Sequence, residues 1–179
     1  MDGIFVELEN SSKQSQREFS MQQAISEFLV SFGHPVDKAF VEDMAAQYTR
    51  DWAQHVRVPA GMTGYLTSLS KKYRLGLITN THYAPMVHEL LAEMGVAPLF
   101  EVVTTSIEHG RPKPHREIFE DTLAAMQLSA EEAVYVGDNF DADYRGATGV
   151  GMDCYLVGRH ARVPLERQIP SVLALPSRL

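Results

Sequence analysis

The sequence is poor in the residues that mark disulfide-bonded, zinc-binding or nucleic-acid-binding proteins. Its 179 residues include one cysteine, Cys154, which cannot form an internal disulfide and has no Cys/His cluster beside it. Lys and Arg number 16 against 23 Asp and Glu, and the net charge of −7 argues against a basic nucleic-acid-binding surface. No apolar run approaches the roughly 18 residues of a membrane span, and the N-terminus lacks the layout of a signal peptide. We therefore expect a cytoplasmic protein with no nucleic-acid or membrane partner; composition does not decide its oligomeric state.

What the sequence does contain is a series of short apolar runs, each followed by a helical pattern. Apolar residues make up 45% of the chain, which is enough for a core. The runs predict strands at 75–79, 101–104, 133–136 and 153–157, a shorter fifth strand at 172–175, and helices over 86–94 and 118–126. Strands that alternate with helices predict a Rossmann-like α/β fold, a parallel sheet with helices on both faces. Ligands of such sheets bind at the carboxyl ends of the strands.

The first third of the chain has a different pattern. Apolar residues recur at helical spacing through 19–32 and 40–52, and Gly33-His34-Pro35 separates these two segments. The polar segment 7–16 is typical of a linker, and 56–61 could be the return linker. We therefore predict a small α-helical cap at 13–57, inserted into a core domain formed by 1–12 and 58–179.

Three stretches carry residues suited to chemistry. In the first, a strand ends at Gly137 and is followed by carboxylates at Asp138, Asp141 and Asp143. Carboxylate oxygens at a strand end suit a hard cation such as Mg²⁺. The alternative is a loop of solvated acids that caps a helix.

The other two stretches could bind a phosphoryl group. Thr79 and Asn80 end a predicted strand, where a hydroxyl and a backbone N–H can hold a phosphate oxygen, although an ordinary turn also fits. Lys113 lies between Pro112 and Pro114, in a loop that the prolines fix before a helix. Its ammonium could neutralise a phosphoryl group and a neighbouring carboxylate, or it could be a surface lysine in a rigid turn.

In order and spacing, the three stretches resemble motifs II, III and IV of the haloacid-dehalogenase-like (HAD) hydrolase superfamily. The matches are the strand ending in Thr79, the segment 106–114, which is very like S-x-E-x-G-x-x-K-P-x-P, and the G-D-x-x-x-x-D that starts at Gly137. The resemblance covers about 59–157, and the helical insertion looks like the small cap of phosphoglycolate-phosphatase-like members.

The resemblance implies a role for each matched residue. Thr79 would hydrogen-bond the phosphoryl oxygen of a small phosphorylated metabolite, helped by the backbone near Asn80. Lys113 would stabilise negative charge on the nucleophile and the phosphate. Asp138 would bind Mg²⁺, and Asp143 would support the metal site directly or through water.

The superfamily's first motif, a strand ending in D-x-D-G-T, has no direct match, and two registers are possible. In the first, 3–6 is the strand, and Glu7 and Glu9 stand for the nucleophile and the general acid and base. In the second, Asp2 is the acid and base, and the strand was lost upstream of Met1. We favour the first register, because losing a central strand would bury unpaired backbone groups at roughly 1–3 kcal/mol each.

Three functions are compatible with these alternatives. The first is a Mg²⁺-dependent phosphate-monoester phosphatase that works through an acyl-phosphate on Glu7 or on a lost aspartate. The second is a catalytically impaired HAD-like domain that binds metal, phosphate or a partner. The third is a haloacid dehalogenase, against which Asp138 argues, because those enzymes use no metal and resemble Ser-Ser-Asn where this chain has Gly137-Asp138-Asn139.

Overall fold

The computed structural model describes the backbone of residues 2–177 and the side chains of residues 3–175. The helices of this part of the chain are α1 Asp2–Ser15, α2 Met21–Ser31, α3 Lys38–Ala53, α4 Met62–Ser70, α5 Ala84–Glu93, α6 Ser106–His109, α7 Arg116–Ala125 and α8 Arg145–Gly149. The strands are β1 Leu75–Thr79, β2 Phe100–Thr105, β3 Val134–Gly137, β4 Asp153–Val157 and β5 Gln168–Ile169. No helix in the described range has the length and hydropathy needed to cross a membrane.

The chain forms two compact units. The first consists of residues 2–60, 80–98 and 105–112, and the second of 61–79, 99–104 and 113–177. The described residues 2–12 of the segment 1–12, which the sequence analysis assigned to the core domain, thus fall in the same unit as the helices predicted to form the cap. The division into a functional cap domain at 13–57 and a core domain at 1–12 and 58–179 stays a prediction.

The first unit is helical, and its predicted helices are confirmed at α2 and α3. Each begins where a side chain accepts a hydrogen bond from a backbone N–H: Ser20 from Gln23, and Asp37 from Phe40. Such N-caps each contribute about 0.5–2 kcal/mol. The core between these helices is formed by Met21, Ile25, Val41, Ala45 and Tyr83.

Helix α1 contradicts the sequence analysis, which predicted a strand at 3–6 and a polar linker at 7–16. Ile4, Phe5, Leu8 and Ser12 follow a helical spacing and form one face. On that face Leu8 is 7% exposed, and the rings of Phe5 and Phe19 lie 5.3 Å apart. The helical conformation of the segment brings these side chains onto one buried face. The strand at 3–6 that the first register requires is therefore absent.

A partly buried ion pair lies near the same aromatic rings in the first unit. Nδ1 of His82 lies 3.1 Å from Oε1 of Glu18, whose side chain is 3% exposed. The Ser106 hydroxyl donates to the other carboxylate oxygen of Glu18. The imidazole of His82 stacks on the Phe19 ring at 4.0 Å between centroids. The pair fixes the segment before α2 against the loop after β1.

The second unit contains the strands and confirms the Rossmann-like α/β fold. β3, β4 and β5 form one parallel sheet in that order, with Val136 opposite Tyr155, and β1 and β2 form a second sheet. Helix α7 and the segment after β3 pack on the sheet through Ile118, Phe119, Leu123, Ala147, Met152 and Cys154. Cys154 is 2% exposed, as expected for a small hydrophobe, and its burial raises the pKa of the thiol to about 12.

Four of the five predicted strands are confirmed as β1 to β4, and the fifth is wrong. Residues 172–177 form a 3-10 helix, and the last strand is the two-residue β5. A strand of two residues is too short to have a recognisable period, although its Ile169 is 2% exposed. Helix α4, which precedes β1, was not predicted.

Candidate functional site

The centre of the candidate site is a buried ion pair between Lys113 and Asp143. The Lys113 ammonium lies 2.6 Å from Oδ1 of Asp143, and the two side chains are 11% and 5% exposed. Lys113 also donates to the backbone oxygen of Ile78 in β1, at 3.1 Å, and to the hydroxyl of Tyr135 in β3, at 3.0 Å. These contacts hold the ammonium at the carboxyl ends of two strands, where it neutralises a neighbouring carboxylate.

Asp143 also organises the loop after β3. Its Oδ2 accepts hydrogen bonds from the backbone N–H groups of Asp138, at 3.2 Å, and Asn139, at 2.9 Å. A carboxylate that accepts several hydrogen bonds and pairs with an ammonium is one of the stronger polar anchors in proteins. Asp143 therefore positions the backbone from which the Asp138 side chain projects.

The loop reaches this geometry through a wide turn and a glycine. Residues 140–144 form a π-helical turn in which the N–H of Tyr144 donates to the oxygen of Asn139, at 3.1 Å. A β carbon on Gly137 would lie 2.3 Å from Cγ of Asp143, so no other residue fits at 137 without movement. The glycine permits the close approach of the Asp143 carboxylate to the strand end.

Tyr135 belongs to the site and was missed by the sequence analysis. Its hydroxyl donates to Oδ1 of Asp143 at 3.1 Å. Burial raises the pKa of Tyr135 far above its usual value, and the negative charge of Asp143 raises it further, so the phenol stays neutral. A signal was available, because Tyr135 is the polar-tipped residue of an otherwise apolar strand that ends just before Asp138.

The carboxylates of the loop do not by themselves form a magnesium site. Asp138 is exposed, whereas Asp143 is already bound to Lys113 and two backbone N–H groups. Asp141 forms an i,i+4 pair with Arg145 at 3.0 Å, with both side chains more than 60% exposed, as expected of a solvated acid. Within the described residues no three His, Cys, Asp or Glu side chains are grouped to hold a metal ion. Asp138 is one fitting ligand, and Mg²⁺ would need further oxygen ligands.

The two residues predicted to bind substrate differ in exposure. Thr79 ends β1 and is half-buried, next to the Ile78 carbonyl that Lys113 contacts. Asn80 is exposed and belongs to the first unit. The predicted phosphoryl contacts of Thr79 and Asn80 stay predictions.

Glu7 and Glu9, predicted to replace the aspartates of the first motif, lie on an exposed face of α1 in the first unit. Glu9 is 3.9 Å from Lys13, which is a loose surface pair. Neither residue follows a strand, so the strand-end geometry on which their roles were based is absent. The Asp2 side chain, the alternative acid and base, lies outside the described residues.

Comparison with known proteins shows the class of protein. The family model described as haloacid dehalogenase-like hydrolase matches residues 4–157, and the chain belongs to this family. The match confirms the resemblance inferred from motifs II to IV.

Individual relatives match over part of their length. The chain is 41% identical over 88 residues to a glyceraldehyde 3-phosphate phosphatase of Methanothermobacter thermautotrophicus, covering 49% of this chain and 38% of that protein. It is 36% identical over 106 residues to haloacid dehalogenase-like hydrolase domain-containing protein 3 of Homo sapiens, covering 58% of this chain and 41% of that protein. The chain thus spans about two fifths of the length of these relatives.

A solved structure shows the same fold. The HAD-hydrolase YfnB from Bacillus subtilis, whose crystal structure contains bound magnesium, superposes with a TM-score of 0.67 at 23% identity. The match covers 88% of this chain and 69% of YfnB.

Proposed function

We propose that this chain carries the phosphate-binding and charge-stabilising part of a HAD-type phosphate-monoester hydrolase that acts on a small phosphorylated metabolite of the cytoplasm. The observation that carries the proposal is the Lys113 ammonium, 11% exposed and 2.6 Å from Asp143 at the carboxyl ends of β1 and β3. A fixed, desolvated cation at a strand end stabilises negative charge that develops on a phosphoryl group. The names of two glyceraldehyde 3-phosphate phosphatases among the relatives agree with a substrate of this class.

Each residue has a separate task in this proposal. Lys113 attracts the phosphoryl oxygens, and the Thr79 hydroxyl donates to one of them. Asp143 and Tyr135 hold Lys113, while Asp138 provides an exposed carboxylate for Mg²⁺. When bound, Mg²⁺ would offset the negative charge of the phosphoryl group of the substrate. The bound magnesium in YfnB supports this cofactor.

The test is hydrolysis of p-nitrophenyl phosphate with and without millimolar Mg²⁺. We expect activity that requires Mg²⁺ and falls at least about tenfold in Asp138→Asn, because the variant loses the exposed metal ligand. Asp141→Asn is the matched control, since it removes a carboxylate of the same loop that pairs with Arg145 in solvent, and its activity should stay unchanged. Equal loss in both variants, or activity without metal, would contradict these roles.

A second candidate is a catalytically impaired domain that binds phosphate. Helix α1 favours it, because Glu7 and Glu9 are exposed on a helix and no described strand pairs with both β1 and β3. This candidate predicts phosphate binding by calorimetry, lost in Lys113→Met, with no turnover even in Glu7→Asp. The haloacid dehalogenase alternative would require dehalogenation without metal.

A further inference from the structure

The ring of Phe140 connects two loops at the carboxyl ends of β3 and β4. Phe140 begins the π-helical turn, two residues after Asp138 and three before Asp143. The imidazole of His160, in the loop after β4, stacks on this ring with 3.9 Å between centroids and 10° between planes. The guanidinium of Arg162 lies over the same ring, 4.2 Å from its centre. Two side chains of one loop thus pack on a single side chain of the other.

The loop that carries His160 and Arg162 is itself fixed to strand β5. The side-chain amide of Gln168 donates to the backbone oxygens of His160, at 3.0 Å, and Val163, at 2.6 Å. Its side-chain oxygen accepts from the N–H of His160 at 3.2 Å. The N–H of Val163 also donates to the oxygen of His160, at 3.1 Å, which closes the loop into a turn. The two side chains on the Phe140 ring therefore project from a restrained backbone.

Such support matters because the loop after β3 is held from inside at one end only. Asp143 accepts from the backbone N–H groups of Asp138 and Asn139. The carboxylate of Asp138 is exposed, and the turn that follows it is wider than an α-helical turn. Asp141 pairs with an arginine of the same segment, so its contact adds no support from outside. The ring of Phe140 links this turn to the restrained loop after β4.

We infer that His160 and Arg162 are positioning residues for the loop that carries Asp138. They hold the ring of Phe140, and through it they fix the direction of the Asp138 carboxylate, without contact to metal or substrate. The inference rests on the proposed role of Asp138 as a ligand of Mg²⁺. Removing a group that orients a metal ligand typically lowers metal affinity about 10–100-fold.

The direction of the change separates positioning from simple electrostatics. The positive charge of Arg162 repels Mg²⁺, so loss of charge alone would strengthen metal binding in Arg162→Ala. Positioning predicts the opposite, an affinity at least about tenfold weaker. Arg159→Ala is the matched control, because it removes the same charge from an exposed arginine of the same loop, and the described ring contacts of Phe140 do not include Arg159. Its affinity for Mg²⁺ should not fall.

Histidine 160 allows a conservative rescue. His160→Ala removes the stacked ring and should weaken Mg²⁺ binding at least about tenfold. His160→Phe keeps an aromatic ring that can stack on Phe140, and it should retain the affinity of the parent chain.

The test titrates magnesium chloride into the whole chain by calorimetry and, in separate samples without metal, follows amide hydrogen exchange. In Arg162→Ala and His160→Ala, we expect the N–H groups of Asp138 and Asn139 to exchange at least about tenfold faster, because the loop opens more often. Exchange in β4 is the internal reference, since a general loss of stability would accelerate it equally.

The inference is overturned if Arg162→Ala and Arg159→Ala change Mg²⁺ affinity alike, or if exchange at Asp138 and Asn139 does not accelerate beyond that in β4. Asp138→Asn tests the proposed function separately. If this variant binds Mg²⁺ as tightly as the parent chain, the metal role of Asp138 is wrong, and the exchange measured without metal still decides whether His160 and Arg162 position the loop.

Discussion

Removing the lysine of the buried ion pair should cost a large part of the stability of the fold. The Lys113→Met variant keeps the apolar stem of the side chain but leaves the Asp143 carboxylate, 5% exposed, without its cation. Breaking a buried pair in this way costs about 3–5 kcal/mol, because an uncompensated charge stays buried. The loss is a substantial fraction of a typical unfolding free energy of about 5–15 kcal/mol. Urea denaturation followed by circular dichroism would measure it.

The same reasoning predicts that the effect of Asp143→Asn on the free energy of unfolding changes sign when Lys113 has also been replaced. Asp143→Asn alone should destabilise the protein, because Lys113 loses its anion. In the Lys113→Met background the same substitution should stabilise it by about 1–3 kcal/mol, since it removes the unpaired charge and the amide oxygen can still accept from the backbone. Arg145→Met is the control, because its pair with Asp141 is exposed and contributes at most about 1 kcal/mol. Equal losses in Lys113→Met and Arg145→Met, or additive effects in the double variant, would refute the argument.

Two further predictions concern the loop after β3 and the first unit. Gly137→Ala should lower the free energy of unfolding by about 1–3 kcal/mol, because its β carbon would overlap Asp143, whereas Gly149→Ala, with nothing within 4 Å, should be close to neutral in the same thermal melts. Burial alone would lower the pKa of His82, but the hydrogen bond and charge of Glu18 raise it above its ordinary value of about 6.5. Since the folded pKa is raised, the pair stabilises the fold fully below pH 6.5 and loses this contribution as the pH rises through the folded value. The destabilisation caused by His82→Gln should therefore be larger at pH 6 than at pH 9 in denaturant titrations, and an effect independent of pH would contradict the assignment.

Much of the secondary structure of the second unit could be predicted from sequence, because the strand patterns depend on residues close together in the chain. Strands β1 to β4 are short apolar runs bounded by polar residues, and the rule that ligands lie at the carboxyl ends of parallel strands singled out Thr79 and Asp138. Lys113 was assigned to the same site by the family resemblance. The glycine at 137 was recognised as the end of a strand; the structure adds that it accommodates the side chain of Asp143.

The failures have physical causes as well. The run Ile4-Phe5-Val6 satisfies a strand pattern and a helix pattern alike, and only the burial of Leu8 against the neighbouring helices decides for the helix. A similar ambiguity misplaced the last strand at 172–175. The separation of β1 from β3 was expected only in the second register, in which the central strand is missing, and the local sequence pattern could not decide between the two registers.

The π-helical turn at 140–144 makes the length of this loop as important as its composition. Each residue of a helical turn rotates the following side chain by roughly a quarter turn, so deleting Ala142 would turn the carboxylate away from Gly137. Lys113 would then lose its anion although every charged residue remained in the chain. Proteins that share the acids but differ in the number of residues separating them should therefore not be expected to share the site.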